Sequence, residues 1–256
     1  MNWRSFARRW LVLVVFVLLW QLATTIADDP YFPSPLKILG TAGHAWFGDG
    51  AFTSDVLPSL GRLLLGWAIA VLAGVPAGLA LGRSPVVTAY FSPMLFFFRS
   101  VPATLLTPIF LVVFGLGSRM EVVMVLWGAL WPILLNTIDG ARSIDDVKVE
   151  TSQAFGIRGR RWVLGVILPT AAPKVFAGMR LALSVSIILM VFAELVGSTS
   201  GIGFRLINAQ GSFLLPEMWA WIVLVSVLGY LLNFVLAQAE RRALDWHPGF
   251  RAGLGE

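Results

Sequence analysis

The sequence predicts an all-α integral membrane protein with six transmembrane helices and a cytoplasmic loop between the fourth and fifth. Three observations carry that expectation. Hydrophobic residues make up 57% of the 256-residue chain and charged residues only 13%, whereas soluble domains are nearer a quarter charged. Mean hydropathy is +0.81. The apolar residues gather in runs of about twenty, the length that carries a helix across a ~30 Å hydrocarbon core at ~1.5 Å per residue. The length suits one polytopic unit, 1–256, rather than several domains. The chain has no cysteine, which excludes disulfides and thiolate metal sites.

The first expected span is 10–27, behind Arg4, Arg8 and Arg9. Its basic start and Thr25-Ile26-Ala27 also fit a cleavable signal, but with more spans to follow a retained helix is the expectation. Residues 28–59 hold Asp28, Asp29, Asp49 and Asp55, and Pro30, Pro33 and Pro35 are expected to break any helix. Beyond them Leu39, Gly43, Trp46 and Phe47 recur at helical spacing, which suits a helix lying in the membrane interface.

The second span is 60–82. Gly66, Ala70, Gly74, Gly78 and Gly82 recur every four residues, a stripe that lets another helix backbone approach. It is read as packing, not as a site. Arg83 and Ser84 mark a tight return to the third span, 90–114, which Pro93, Pro102 and Pro108 interrupt around Arg99 and Ser100. Each proline frees a carbonyl that needs another partner. Such broken helices line translocation paths in many transporters, although a merely kinked, packed helix fits as well. The fourth span is 121–137, kinked at Pro132. The fifth is 176–196, with Glu194 near its end. A Gly-rich polar segment, 197–218, leads to the sixth, 219–239, where Trp219 and Trp221 suit the water boundary.

The basic residues set an orientation. With the N-terminus in the cytoplasm, fourteen of the nineteen Lys and Arg residues fall on the inner side, the tail with Arg241, Arg242 and Arg251 among them. Only Lys37, Arg62, Arg119 and Arg205 fall outside, which is the positive-inside pattern. Both termini are therefore expected in the cytoplasm. The net charge of +5 reports this orientation rather than a nucleic-acid partner.

Loop 139–174 contains the one long basic, glycine-punctuated stretch, Glu150–Pro169. Asp145 and Asp146 are placed to cap a short helix starting near Val147. Gly156 stands where that helix must stop. A second short helix is expected from Arg158 or Arg160 to Leu168, ended by Pro169. Its apolar ridge would be Trp162, Val163, Val166 and Ile167, with Arg158, Arg160 and Arg161 on the wet side. Two short helices at a membrane surface suggest a docking plug.

Glu150, Ala154, Gly156, Leu168 and Pro169 stand at the spacing of the EAA loop, so the chain resembles the permease subunits of bacterial ABC importers. Thr151 and Ser152 replace the family's first alanines; both are small. Further pieces resemble the nitrate/sulfonate/taurine branch: Pro33-Ser34-Pro35, Phe114-Gly115-Leu116-Gly117, Pro132 to Thr137, Ala193-Glu194 followed by Ser200-Gly201-Ile202-Gly203, and Trp246-His247-Pro248. The resemblance implies a type I ABC importer permease fold in a bacterial inner membrane. It implies a homodimer with two ATPase subunits, and a periplasmic or lipid-anchored solute-binding protein. ATP and Mg would sit on the ATPase, with no cofactor on the permease. The cargo would be a small anion such as a sulfonate, taurine or nitrate; some relatives carry pyrimidine precursors or aromatic acids. The five loop residues would then form the coupling element that enters a cleft of the ATPase.

Other chemistry finds little support. No Gly-Lys dipeptide exists, hence no P-loop, and Gly201-Ile202-Gly203 lacks the strand and third glycine of a dinucleotide fingerprint. His44 and His247 are expected on opposite sides of the membrane. Asp145-Asp146 reads as a helix cap rather than a metal–diphosphate site, since no second acidic cluster faces it. Arg99 and Glu194 are charges at membrane depth, where ionisable groups are costly and pair or face water. Both are candidates for a translocation pathway, Arg99 favouring an anion. The alternatives are that Arg99 snorkels and that Glu194 sits exposed at the boundary. A membrane enzyme lacks a visible acid/base constellation, and a secondary carrier needs no coupling loop.

Overall fold

The computed structural model describes residues 3–27 and 29–246, the side chains of 3–10 and 49 excepted. Every regular element among them is helical: α1 (Trp3–Ala27), α2 (Pro35–Phe47), α3 (Leu57–Gly82), α4 (Pro85–Ser100), α5 (Thr107–Phe114), α6 (Ser118–Arg142), α7 (Asp146–Ala154), α8 (Gly159–Trp162), α9 (Leu168–Gly197), α10 (Ile202–Gly211) and α11 (Leu215–Ala243). The expected residues Arg4, Arg8 and Arg9 have side chains outside the described set, as have His247, Pro248 and Arg251.

Several prolines open helices here. Pro35 was expected to break a helix; it opens α2 instead, behind Ser34, whose hydroxyl accepts from the Lys37 amide. Ser84 and Pro85 repeat the device at α4, the Ser84 hydroxyl accepting from the Val87 amide. Proline's fixed φ and missing N–H cost nothing in the first helical turn.

The chain divides into two compact units. One combines the residues up to Ser59 with Thr199–Val227; the other combines Leu60–Ser198 with the chain from Leu228 onward.

In the first unit, α2 buries Ile38, Ala42 and Ala45. Of the stripe at helical spacing, Leu39 is 63% and Phe47 66% exposed, and Gly43 is exposed too. The Trp46 indole donates to the Ala220 carbonyl at 3.1 Å, and the Trp219 indole to the Tyr31 carbonyl at 3.1 Å. The Gly-rich polar segment 197–218 contains α10. Asp55 pins its start, accepting from the Gly201 amide at 2.8 Å and from Arg205 Nε at 2.8 Å, while the Ser59 hydroxyl accepts from the Ile202 amide at 3.0 Å. A carboxylate beside unpaired helix N-terminal amides is stabilising.

In the second unit, α6 is gripped from two sides. The glycine stripe of α3 lies against it: a Cβ on Gly78 would stand 2.6 Å from Thr137 Cβ and 2.9 Å from the Leu134 carbonyl, and one on Gly82 2.7 Å from Ala141 Cβ. Ala70 is fully buried. On the other side, a Cβ on Gly178 of α9 would meet Asn136 Cβ and the Pro132 carbonyl, both at 2.8 Å. The packing reading of the stripe therefore holds. Met120, Met124, Val125, Leu183, Met190 and Ala193 belong to one buried core cluster.

One expected boundary is corrected, and one expected break is found. Pro169 does not end a helix: helical backbone runs from Gly159 to Gly197. A π-helical turn at Val163–Ile167, in which the Leu168 amide reaches back five residues to the Val163 carbonyl, carries the chain past the proline. Phe52–Val56 does the same ahead of Leu57-Pro58. The third span is not one kinked rod: α4 and the helical segment Ala103–Phe114 meet at 77°.

Among the described residues, four helices are long and apolar enough to cross a membrane: Phe52–Gly82, Ser118–Arg142, Gly159–Gly197 and Leu215–Ala243. The bent pair makes a fifth if it counts as one span, and the apolar part of α1, Leu11–Ala27, is shorter.

Candidate functional site

Three arrangements in the second unit carry the chemistry. The first is the loop between α6 and α9. Asp145 caps α7, its carboxylate accepting from the Val147 amide at 3.1 Å. The helix ends in a Schellman closure: the Ile157 amide donates to the Ser152 carbonyl at 2.9 Å and the Gly156 amide to the Gln153 carbonyl at 3.0 Å. Gly156 has φ +66°, in the left-handed region. Glu150, Ala154 and Gly156 all lie exposed on this short element, while Leu168 and Pro169 are half-buried at the start of α9.

The exposed apolar groups differ from those expected. Ile167 is buried, and Trp162 and Val163 pack with it against Leu79, Ala141, Ile144 and Ala171. The outward apolar residues are Phe155, 80% exposed, with Val147 and Leu164. The reason lies in the Gly159–Gly197 helix, whose expected ridge is the side by which it joins the core. Arg83 stacks over Trp162 at 5.3 Å. With Ser152, Gln153, Ile157 and Arg158 they line a cavity of about 440 Å³.

The second arrangement surrounds the break between α4 and α5. Arg99, in the last turn of α4, is exposed and lies over the Phe96 ring at 4.7 Å. It borders two cavities. One, of about 550 Å³, is formed with Pro102, Thr104, Trp127, Trp131 and Val185. The other, of about 230 Å³, is formed with Thr88, Ser92, Asp139 and Arg142. Arg99 thus stands at the wall of both cavities, next to the break in the backbone.

The third is a buried ion cluster. Arg62 Nη1 lies 2.8 Å from Glu121 Oε2 and 3.1 Å from Glu194 Oε1, and Arg62 Nε donates to the Ser118 hydroxyl at 3.0 Å. Both carboxylates are wholly buried and the arginine nearly so. The cluster ties α3, α6 and α9 together, beside the bond from the Gly117 amide to the Gly197 carbonyl at 3.0 Å. Glu194 is therefore buried and paired rather than exposed at a boundary. The sequence places Arg62 only in the count of outer basic residues, and Glu121 only as the start of a span. The available signal was two isolated charges at the edges of apolar runs, each needing a partner.

The described residues thus combine long apolar helices, a bent apolar pair and a short, capped, exposed helix. The chain belongs to the binding-protein-dependent transport system inner membrane component family, whose pattern matches residues 70–245; it is the permease component of an ABC importer. It is 30% identical over 240 residues to the taurine transport system permease protein TauC of Escherichia coli (strain K12), covering 91% of this chain and 87% of that one. It is 27% identical over 241 residues to the nitrate import permease protein NrtB of Synechococcus elongatus, covering 90% and 86%. Among solved structures, the inward-facing MetNI methionine ABC transporter superposes with a TM-score of 0.66 at 22% identity, over 74% of this chain and 94% of that one. That likeness supports the fold alone.

Proposed function

We propose that this permease forms the translocation pathway for a small anion, a sulfonate, taurine or nitrate, handed to it by a solute-binding protein. Six spans are reached by counting the bent α4–α5 pair and α1 as one each. Two copies pair in the inner membrane with both termini in the cytoplasm, and two ATPase subunits supply ATP and Mg.

The exposed α7 element carries the coupling half of this reading. Glu150, Ala154 and Gly156 occupy a capped, sharply ended helix that projects Phe155, and Leu168 and Pro169 join it to the rigid Gly159–Gly197 rod. Closure of the ATPase dimer would move that rod as a body, because packed helices switch between discrete arrangements. Arg99 serves the pathway at the broken span. Glu194, committed to Arg62, serves it as a brace that fixes the ends of α3, α6 and α9.

The test is ATP-driven uptake of taurine and nitrate by proteoliposomes holding permease, ATPase and binding protein. Uptake that needs neither ATP nor the ATPase would turn the reading toward a secondary carrier. Uptake of an aromatic acid with no response to either anion would replace the substrate class.

A further inference from the structure

The two cavities beside Arg99 share more than that residue. Leu135 also borders both. Their remaining contributions from α6 are Trp127, Gly128, Trp131 and Pro132 in one, and Ile138, Asp139 and Arg142 in the other. Those positions recur every three to four residues, so they form one stripe of the helix, about 22 Å long at ~1.5 Å per residue. The two cavities are successive parts of one groove along α6.

The groove has a polarity. The larger cavity has mostly apolar and aromatic walls, with Ser100 and Thr104 among them, and Arg99 is its only charged residue among the described ones. The indole N–H groups of Trp127 and Trp131 in those walls are buried and lack an acceptor among the described residues. The smaller cavity is polar: Thr88, Ser92 and Asp139 join Arg99 and Arg142. Two cations against one carboxylate leave it net positive, and Asp139 weakens the hold of the second cation.

We propose that this stripe is a two-station track for a monoanion with an apolar body. Arg99 holds the anionic head at the boundary of the two cavities, the Trp127–Trp131 wall takes the body, and Arg142 receives the head next. Because the Asp139 carboxylate shares that station, the anion is passed on rather than trapped. The inference rests on the importer reading and adds Arg142, Trp127, Trp131 and the order of transfer.

The absence of cysteine makes the test direct. Ser92→Cys reports the smaller cavity, Val185→Cys the larger, and Ser212→Cys, exposed and with no charged residue within four positions, the bulk rate. Each is introduced into the permease–ATPase complex and labelled with 2-sulfonatoethyl methanethiosulfonate, an anion, and with its trimethylammonium counterpart. Relative to Ser212→Cys, the anion-to-cation rate ratio should rise about tenfold at both reporters, as a net positive groove concentrates anions. Arg99→Gln should lower the ratio at both. Arg142→Gln should lower it at Ser92→Cys and leave Val185→Cys nearly unchanged, and Arg99→Lys should keep it. A ratio equal to that at Ser212→Cys, or one that survives both glutamine substitutions, overturns the track. Failure of the importer reading would show separately, as loss of the ATPase from the purified complex.

Discussion

Arg62 holds two buried carboxylates at 2.8 and 3.1 Å, so replacing it tests the cluster severely. Arg62→Met keeps the aliphatic stem and removes the cation that pairs with both Glu121 and Glu194. Breaking a buried pair from one side costs ~3–5 kcal/mol, because the remaining charge is left uncompensated. At ~2–4 °C per kcal/mol for a chain of this size, the melting temperature in detergent should fall by roughly 6–20 °C. Removing all three charges, as Arg62→Met with Glu121→Gln and Glu194→Gln, should recover most of that loss, since a buried ion pair is near break-even against neutral groups. Thermal unfolding followed by circular dichroism, on permease purified with its ATPase, reads both variants. A loss below ~1 kcal/mol for Arg62→Met would show that the carboxylates find other partners. A triple variant no better than the single one would show that packing, not charge, sets the effect.

Gly78→Val should disrupt the α3–α6 contact, where a Cβ already meets Thr137 at 2.6 Å, and lower stability by ~1–3 kcal/mol as overpacked sites do; Gly61→Ala, with nothing within 4 Å, should be silent in the same melting assay. Gly156→Val forces a β-branched residue to φ +66°, at ~1–2 kcal/mol, and should abolish ATP-driven uptake while Gly156→Asn retains part of it. Arg99→Ala should abolish uptake and leave ATPase co-purification intact; unchanged uptake removes Arg99 from the pathway.

Local signals were legible in the sequence where one short segment decides its own geometry. Asp145 and Gly156 stood as cap and stop because those roles depend on one side chain and one φ. The four-residue recurrence of small residues from Gly66 to Gly82 specified a close helix contact, though not that α6 would be the partner. Pro169 misled because proline stops an α-helix only when the preceding turn is regular; the wide turn at Val163–Ile167 removes the conflict, and no residue type announces such a turn. The three prolines of the third span announced a break, but the 77° angle comes from packing. The loop ridge was misassigned because periodicity identifies an apolar face without saying whether core or partner covers it. Arg62, Glu121 and Glu194 lie far apart in the chain, and only the fold brings them to one point.

Coupling through α7 is tested most directly by a single cysteine. Phe155→Cys, at the exposed tip of the loop, should form a disulfide on mild oxidation with cysteines introduced along the cleft of the purified ATPase subunit, and ATP should alter the yield. No cross-link at Phe155→Cys, with efficient cross-linking from an exposed cysteine elsewhere such as Ser212→Cys, would contradict the assignment of this loop as the point where the motor engages.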